Sequence, residues 1–401
     1  MVRKRYFFQC YGFDPDDTSV HYRRFVREAA RFAATWNLVV AVSPLGEPGG
    51  DNGHWSVTAQ GPRWQVESRN VQLDWSDVVR ADLGRPTWRR LWDGAVTFTD
   101  FVATGTARRY FLAHWPYALF FIFPLFNIVF LGAVSIAIGG LMATAMPSAQ
   151  SRALASIAAG VLVFAGLTRW LGVRWRINQA IADWIFTREY LLGRRPDMAA
   201  RIETFVDQLI GCARQADTDE IVIAGHSMGT TIVIDLLTRA LDRDPALGRH
   251  GPRLCVLTTG ATLPKLELHP AGGWLRDKVR RIAYEPSVVW AEYQARDDAI
   301  SFYNFHPVHR CRLAAVPEPG GPLVRFAKFH NMLSEATMRR LRFSFMRLHY
   351  QFVMANERRA DYDYFMLICG PVPFDRTIRQ PNGPNDLFAP DGSLCECEAR
   401  A

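Results

Sequence analysis

The spacing of apolar positions changes period several times along this chain. Arg5–Cys10 reads RYFFQC, a nearly continuous apolar run that predicts a buried strand. It runs straight into Tyr11-Gly12-Phe13-Asp14-Pro15, where a glycine followed by Asp-Pro predicts a turn. Tyr22–Trp36 then sets Phe25, Ala29, Phe32 and Ala33 at helical spacing with arginines on the other face, and Leu38–Val42 predicts a strand. Gly46–Gly53 is a Pro/Gly loop. Trp55–Gln60, Trp64–Ser68 and Val71–Trp75 alternate like short antiparallel strands. Pro86–Phe101 has an apolar side with Trp88, Leu91, Trp92 and Val96 and a basic side, the pattern of a helix lying in a membrane interface.

From Tyr110 to Ser151 the chain contains no Lys, Arg, Asp or Glu. That is more than a single span requires, about 20 residues. Two transmembrane helices are expected, over Tyr117–Ile138 and Leu154–Leu171, joined through Gly139-Gly140 and Met146-Pro147-Ser148. Arg108 and Arg109 precede the hairpin, Arg169, Arg174 and Arg176 lie at or beyond its end, and the connecting turn carries only Arg152. The positive-inside rule places both flanks in the cytoplasm and the turn outside. An even number of spans also leaves the two flanks on one side, where their strands can join one sheet.

Beyond the hairpin, Pro196 and Asp197 open an amphipathic helix that delivers the chain to Glu220–Leu241. There a β-branched run, Ile221–Ala224, gives way to Gly225-His226-Ser227-Met228-Gly229 and then to an apolar run at helical spacing. Further strands are expected at Arg253–Thr259, Pro286–Tyr293, Gly321–Lys328 and, as an edge, Tyr362–Cys369. Met332–Ala355 reads as a basic helix. Pro264–Arg281 carries Arg276, Lys278, Arg280 and Arg281, as either a cap over a site or a solvated face. From Pro381 onward the polar composition predicts a disordered tail.

Strand, tight turn and helix with G-x-S-x-G at the turn is the setting in which a serine becomes a nucleophile. The turn strains the serine and projects its hydroxyl above the sheet edge, while a histidine and an acid must arrive from elsewhere. Glu220–Leu241 therefore resembles the α/β-hydrolase superfamily, in its lipase and esterase branch. The resemblance implies a mostly parallel α/β sheet with helices on both faces, here with a two-helix transmembrane hairpin inserted before the elbow. Residues 1–85 would be the N-terminal part of the hydrolase domain and 86–176 the interfacial helix and hairpin. Residues 177–380 would be the catalytic part, and 381–401 the tail.

Chain order in the superfamily is serine, acid, histidine. After the expected strand Pro286–Tyr293, Asp297 and Asp298 are the available acids, and Asp298 with Ile300 is similar to the D-x-I pattern of related lipases. His330, following a strand and preceding a helix, occupies the position of the base, with His349 the alternative inside the next helix. The resemblance also implies an oxyanion hole from the N–H groups of Met228 and of the Gly12-Phe13 loop, although Gly12-Phe13 reads equally as a plain βα turn.

Composition narrows the reading a little. The net charge of +8 suits an anionic membrane surface, and no block of like charge suggests a nucleic-acid arm. Seven irregularly spaced cysteines make a poor disulfide framework, so a reducing compartment is expected; Cys395-Glu396-Cys397 reads as incidental rather than as a metal site. The sum is a membrane-anchored serine hydrolase, its hydrolase domain cytoplasmic, acting on an apolar acyl ester or lipid beside the bilayer and needing no cofactor or metal. An acyltransferase or thioesterase would use the same triad, and a scaffold that has kept the fold without turnover is the alternative from another class.

Overall fold

The computed structural model describes residues 1–46, 53–146, 148–174, 176–215, 217–316 and 321–395; the Pro/Gly loop expected at 46–53 falls almost wholly outside them. Strand β1 (Lys4–Cys10) is buried beyond its first residue. Helix α1 (Thr18–Trp36) starts where the Asp17 carboxylate accepts the Val20 N–H at 3.1 Å, and it ends at Asn37 in the left-handed region. Strands β2 (Val39–Val42), β3 (His54–Gly61) and β4 (Trp64–Gln72) form an antiparallel ladder. The two strands expected over Trp64–Trp75 are one. The reason is tertiary: β4 also pairs in parallel with β1, from Lys4↔Glu67 to Gln9↔Gln72, which holds it straight through Arg69 and Asn70.

A helical stretch follows: α2 (Ser76–Leu83), α3 (Thr87–Ala103), α4 (Thr106–Ala113), α5 (Trp115–Ala143), α6 (Ala149–Arg174), α7 (Ile177–Leu191) and α8 (Pro196–Arg214). Helices α5 and α6 are long and apolar enough to cross a membrane, with mean hydropathy 2.4 and 1.7 in their most apolar windows. Only 28% of that window is buried in α5 and none in α6, so they are not core helices of the sheet domain. They pack on each other, where Ser135, Gly139 and Gly160 permit close approach of the two backbones.

The chain then returns to the sheet as β5 (Glu220–His226), α9 (Gly229–Arg243), β6 (Arg253–Thr259), α10 (Leu263–Glu267), α11 (Gly273–Ala283) and β7 (Val288–Gln294). A two-residue pair, β8 (Phe305–His306) with β9 (Cys311–Arg312), precedes the edge strand β10 (Leu323–Phe326). The eight-stranded order is β10-β7-β6-β5-β1-β4-β3-β2, parallel from β10 to β4 and antiparallel thereafter. Alternate residues of the central strand feed two cores: Val222 and Ala224 face one, Ile221 and Ile223 the other. Both faces are therefore covered, which is what an almost continuously apolar parallel strand requires.

Three C-terminal expectations change. Met332–Ala355 is broken into α12 (Phe329–Met332), α13 (Glu335–Leu341, capped by Ser334) and α14 (Phe345–Tyr350). Tyr362–Cys369 is not an edge strand: Tyr364–Cys369 is helix α15, started by Asp363 accepting the Met366 N–H at 2.9 Å and wholly buried. A short apolar run fits a buried strand or a buried helix equally, and here the helix packs against the sheet face. After α16 (Phe374–Arg379), residues 381–395 are ordered rather than a loose tail. Phe388 packs its ring 5.7 Å from Trp36 and 6.0 Å from Trp64, and it bridges to Leu394. The remainder, 396–401, lies outside the described residues. The basic segment Pro264–Arg281 is not a cap over a site either. Helix α11 buries Leu275, Val279 and Ile282 under the sheet, and its Lys278 and Arg281 pair with Asp235 and Asp242 of α9.

Candidate active site

Strand β5 is central, between β1 and β6, and Ser227 is the first residue past its C-terminal end. Its φ of 56° lies in the left-handed region, which is costly for a residue with a Cβ, on the order of 1–3 kcal/mol. The turn is held by Ser227 N–H donating to Thr259 O at 3.1 Å and by Thr230 closing back on Ser227 O. Gly229 makes the turn possible: a Cβ there would run into the carbonyls of Cys10 and, at 2.7 Å, Tyr11. Gly12 does the same from β1, since a Cβ on it would stand 2.7 Å from Ser227 Cβ and 3.0 Å from Oγ. The serine hydroxyl is thus half-buried against the β1 loop.

Asp298 and His349 meet beside this turn. Nδ1 of His349 donates to Asp298 Oδ2 at 2.7 Å, and both side chains are buried. Asp298 also accepts the Ser301 hydroxyl at 2.6 Å and the Ile300 N–H at 3.0 Å. Burial by itself would raise the Asp298 carboxyl; the charge and hydrogen bond of His349, with the bonds from Ser301 and Ile300, outweigh it and hold the group below its ordinary range. The other ring nitrogen of His349, Nε2, is buried without a hydrogen-bond partner. Its ring stands 4.4 Å from that of His226, which directly precedes the serine, and a Cβ on Gly260 at the end of β6 would lie 3.0 Å from Cε1.

The two candidate histidines are placed differently. His330 is exposed on α12, and the histidine joined to the acid is His349. The cause is sheet order. Strand β10 lies three strands from β5, about 14 Å at 4.8 Å per strand, so a histidine just past β10 is carried away from Ser227. The chain must cross back through α13 and α14 to bring a side chain to the elbow. Of the two acids, Asp298 is buried in the pair while Asp297 is exposed.

Two side chains outside the expected triad, His226 and Tyr350, fix this arrangement. His226 Nε2–H donates to the backbone carbonyl of His349 at 2.9 Å, tying the end of α14 to the elbow strand. Burial, reinforced by His349, holds the His226 imidazole well below its ordinary range, so it stays neutral. Tyr350 OH donates to Asp14, joining α14 to the loop after β1. Burial pushes the Asp14 carboxyl up to about 6, against the Asp16 N–H and Arg24. Only adjacency to Ser227 and to the Gly12 loop could have flagged these residues.

Phe13 is buried against Trp75 and Phe186, and its carbonyl accepts from Gln179 at 2.8 Å. Among the described residues, no hydrogen bond takes up the backbone N–H of Phe13 or of Met228. The loop carrying Asp298 is seated on the foot of the hairpin: the Phe302 ring packs 4.3 Å from that of Tyr117, tilted, and 6.0 Å from that of Tyr110, edge to face. Asp77 is not near this site; it is exposed on α2 and pairs with Arg201 at 2.8 Å. Among the described residues, no group of three or more His, Cys, Asp or Glu side chains is placed to hold a metal, and Cys395 is free. No protein-family model, curated protein or solved structure matches this chain.

Proposed function

We propose that this chain is a membrane-anchored serine hydrolase that cleaves an acyl ester, with Ser227 as nucleophile, His349 as general base and Asp298 as its orienting acid. The observation that carries the reading is the conjunction of a strained Ser227 at the end of the central strand with a buried Asp298–His349 pair beside it. Ser227 Oγ attacks the acyl carbonyl while His349 Nε2 takes its proton. The imidazolium that forms is stabilised by Asp298 through Nδ1. The negative oxygen of the tetrahedral intermediate is received by the free N–H groups of Met228 and Phe13, an effect of about 10²–10³ in rate for a single donor. His349 returns the proton to the leaving alcohol, and water then attacks the acyl-enzyme by the same route. The fold reading behind this is the α/β-hydrolase one, supported by a parallel sheet with the serine at its C-terminal edge.

Helices α5 and α6 are the anchor in this reading, with both ends of the hairpin cytoplasmic on the charge asymmetry of its flanks. A site at the foot of the hairpin favours apolar acyl esters, which concentrate beside the bilayer. The deciding experiment is labelling of detergent-purified protein by a fluorophosphonate probe. Labelling that disappears in Ser227→Ala is expected. Absence of labelling in the wild type, or equal labelling in both, would discard the hydrolase reading in favour of a scaffold.

A further inference from the structure

Helix α3 is built inside out. Three of its four charged residues turn toward the protein, Arg89 being the exposed one: Arg90 is buried and donates to the carbonyls of Leu83 and Arg85, Asp93 lies 3.7 Å from Arg85, and Asp100 accepts from Arg188 at 2.6 Å. Its outward face carries Trp88, Trp92, Val96 and Val102, with 72% and 67% of the two tryptophans exposed. Ala95, Thr99 and Ala103 fill the same face, and no carboxylate is fully exposed on this helix. A helix in water shows the reverse arrangement, so this face is made for a less polar medium.

The neighbourhood says which medium. On its inner side, Phe98 and Phe101 of α3 stack 5.8 Å and 5.7 Å from Phe121 of α5, and Leu91 joins a cluster that contains Ile128 of α5. The inner side of α3 is therefore packed on a helix long enough to span a bilayer, most of whose apolar window is not buried. Phe111, Leu112 and Trp115 are likewise exposed at the entry to that helix, and Arg89 and Arg108 are exposed cations in the same stretch of chain. Tryptophan beside arginine is the composition of a helix set at the level of lipid headgroups.

We propose that α3 is a third membrane-contacting element, a helix embedded in the cytoplasmic-side interface with its Trp88-Trp92-Val96 face against anionic lipid. It rests on the spanning hairpin proposed above and not on the hydrolase reading. Its consequence is geometric: α3 reaches the acid loop through Phe101, Tyr110 and Phe302, so lipid contact braces the same foot of the hairpin on which Asp298 is seated. The test uses the full chain in vesicles of phosphatidylcholine and phosphatidylglycerol. A photoreactive p-benzoylphenylalanine replaces Trp92, Val96 or, as control, exposed Tyr284, which precedes β7 at the end of that strand away from the Asp298 loop. All three positions are exposed or nearly so, so folding is retained. On the order of tenfold more lipid adduct at 92 and 96 than at 284 is expected. Adduct at 92 and 96 no higher than at 284, or adduct to a second copy of the chain in place of lipid, overturns the proposal.

Discussion

His349 Nδ1 stands 2.7 Å from Asp298 Oδ2 although the two residues are 51 positions apart, and neither side chain reaches solvent to any extent. In the proposed reaction this carboxylate fixes the tautomer and leaves Nε2 to accept a proton. His349→Ala is accordingly expected to lower ester hydrolysis on the order of 10⁴-fold or more, and His330→Ala to leave it within a factor of about two. Because the members act as a unit, Ser227→Ala/His349→Ala should be little worse than either change alone. Steady-state rates on a short-chain aryl ester decide it; an inactive His330→Ala with an active His349→Ala would reverse the assignment.

Gly12 tests the other side of the site. Gly12→Ala puts a methyl group 2.7 Å from Ser227 Cβ and 3.0 Å from its Oγ, so either the serine or the loop must shift. A loss of about 10²-fold in kcat is expected, since the Phe13 N–H moves with the loop. The thermal midpoint should fall as well, because Tyr11–Asp14 are buried, so kcat is measured well below that midpoint. A variant with wild-type kcat would show that this loop takes no part in the reaction.

Glu267 on α10 is 2% exposed, and neither carboxylate oxygen has a hydrogen-bond partner. Burial, with Glu292 adding to it, pushes its carboxyl up to about 8. The folded value lies above that of an unfolded glutamate, so the stability is full below about pH 4.3 and is lost as pH rises through 8. Glu292, itself raised by burial to about 7, acts in the same direction. Thermal midpoints measured from pH 5 to 9 should decline for the wild type, and the decline should be shallower in Glu267→Gln. Parallel curves for the two proteins would refute a buried, unpaired carboxyl at this position.

The topology has a direct readout. Single cysteines placed at Ser148 and at Asp16 in a cysteine-free background should react differently with a membrane-impermeant maleimide on intact cells. Ser148→Cys is expected to label from outside and Asp16→Cys only after permeabilisation. Both labelling from the same side, or release of the protein by carbonate without detergent, would remove the spanning hairpin.

Local chemistry was enough for part of this molecule. The strand at Arg5–Cys10, the helix beginning at Pro196 and the elbow around Ser227 each carry a period and a turn signal within a few residues of one another. The two long apolar helices announce themselves in the same way, through a long stretch without charge. Asp298 was legible for a related reason: it lies just past a readable strand, and side chains at that point share the edge of the sheet with the serine.

What lay beyond reach was everything fixed by which strands are neighbours. Nothing in Trp64–Trp75 shows that its two halves pair with β1 as a single strand, and nothing in Tyr362–Cys369 separates a buried strand from a buried helix. The ordering of 381–395 depends on Trp36 and Trp64 lying far away in sequence and near in space. The histidine that meets Asp298 is the clearest case. His330 has the right local setting, strand before and helix after, but strand order puts that setting three strands from Ser227. His349 has an ordinary helical setting and is delivered to Asp298 by the path of α13 and α14. Periodicity reports the environment of a residue along its own element, whereas the identity of its partners depends on long-range packing, and only the folded chain expresses that.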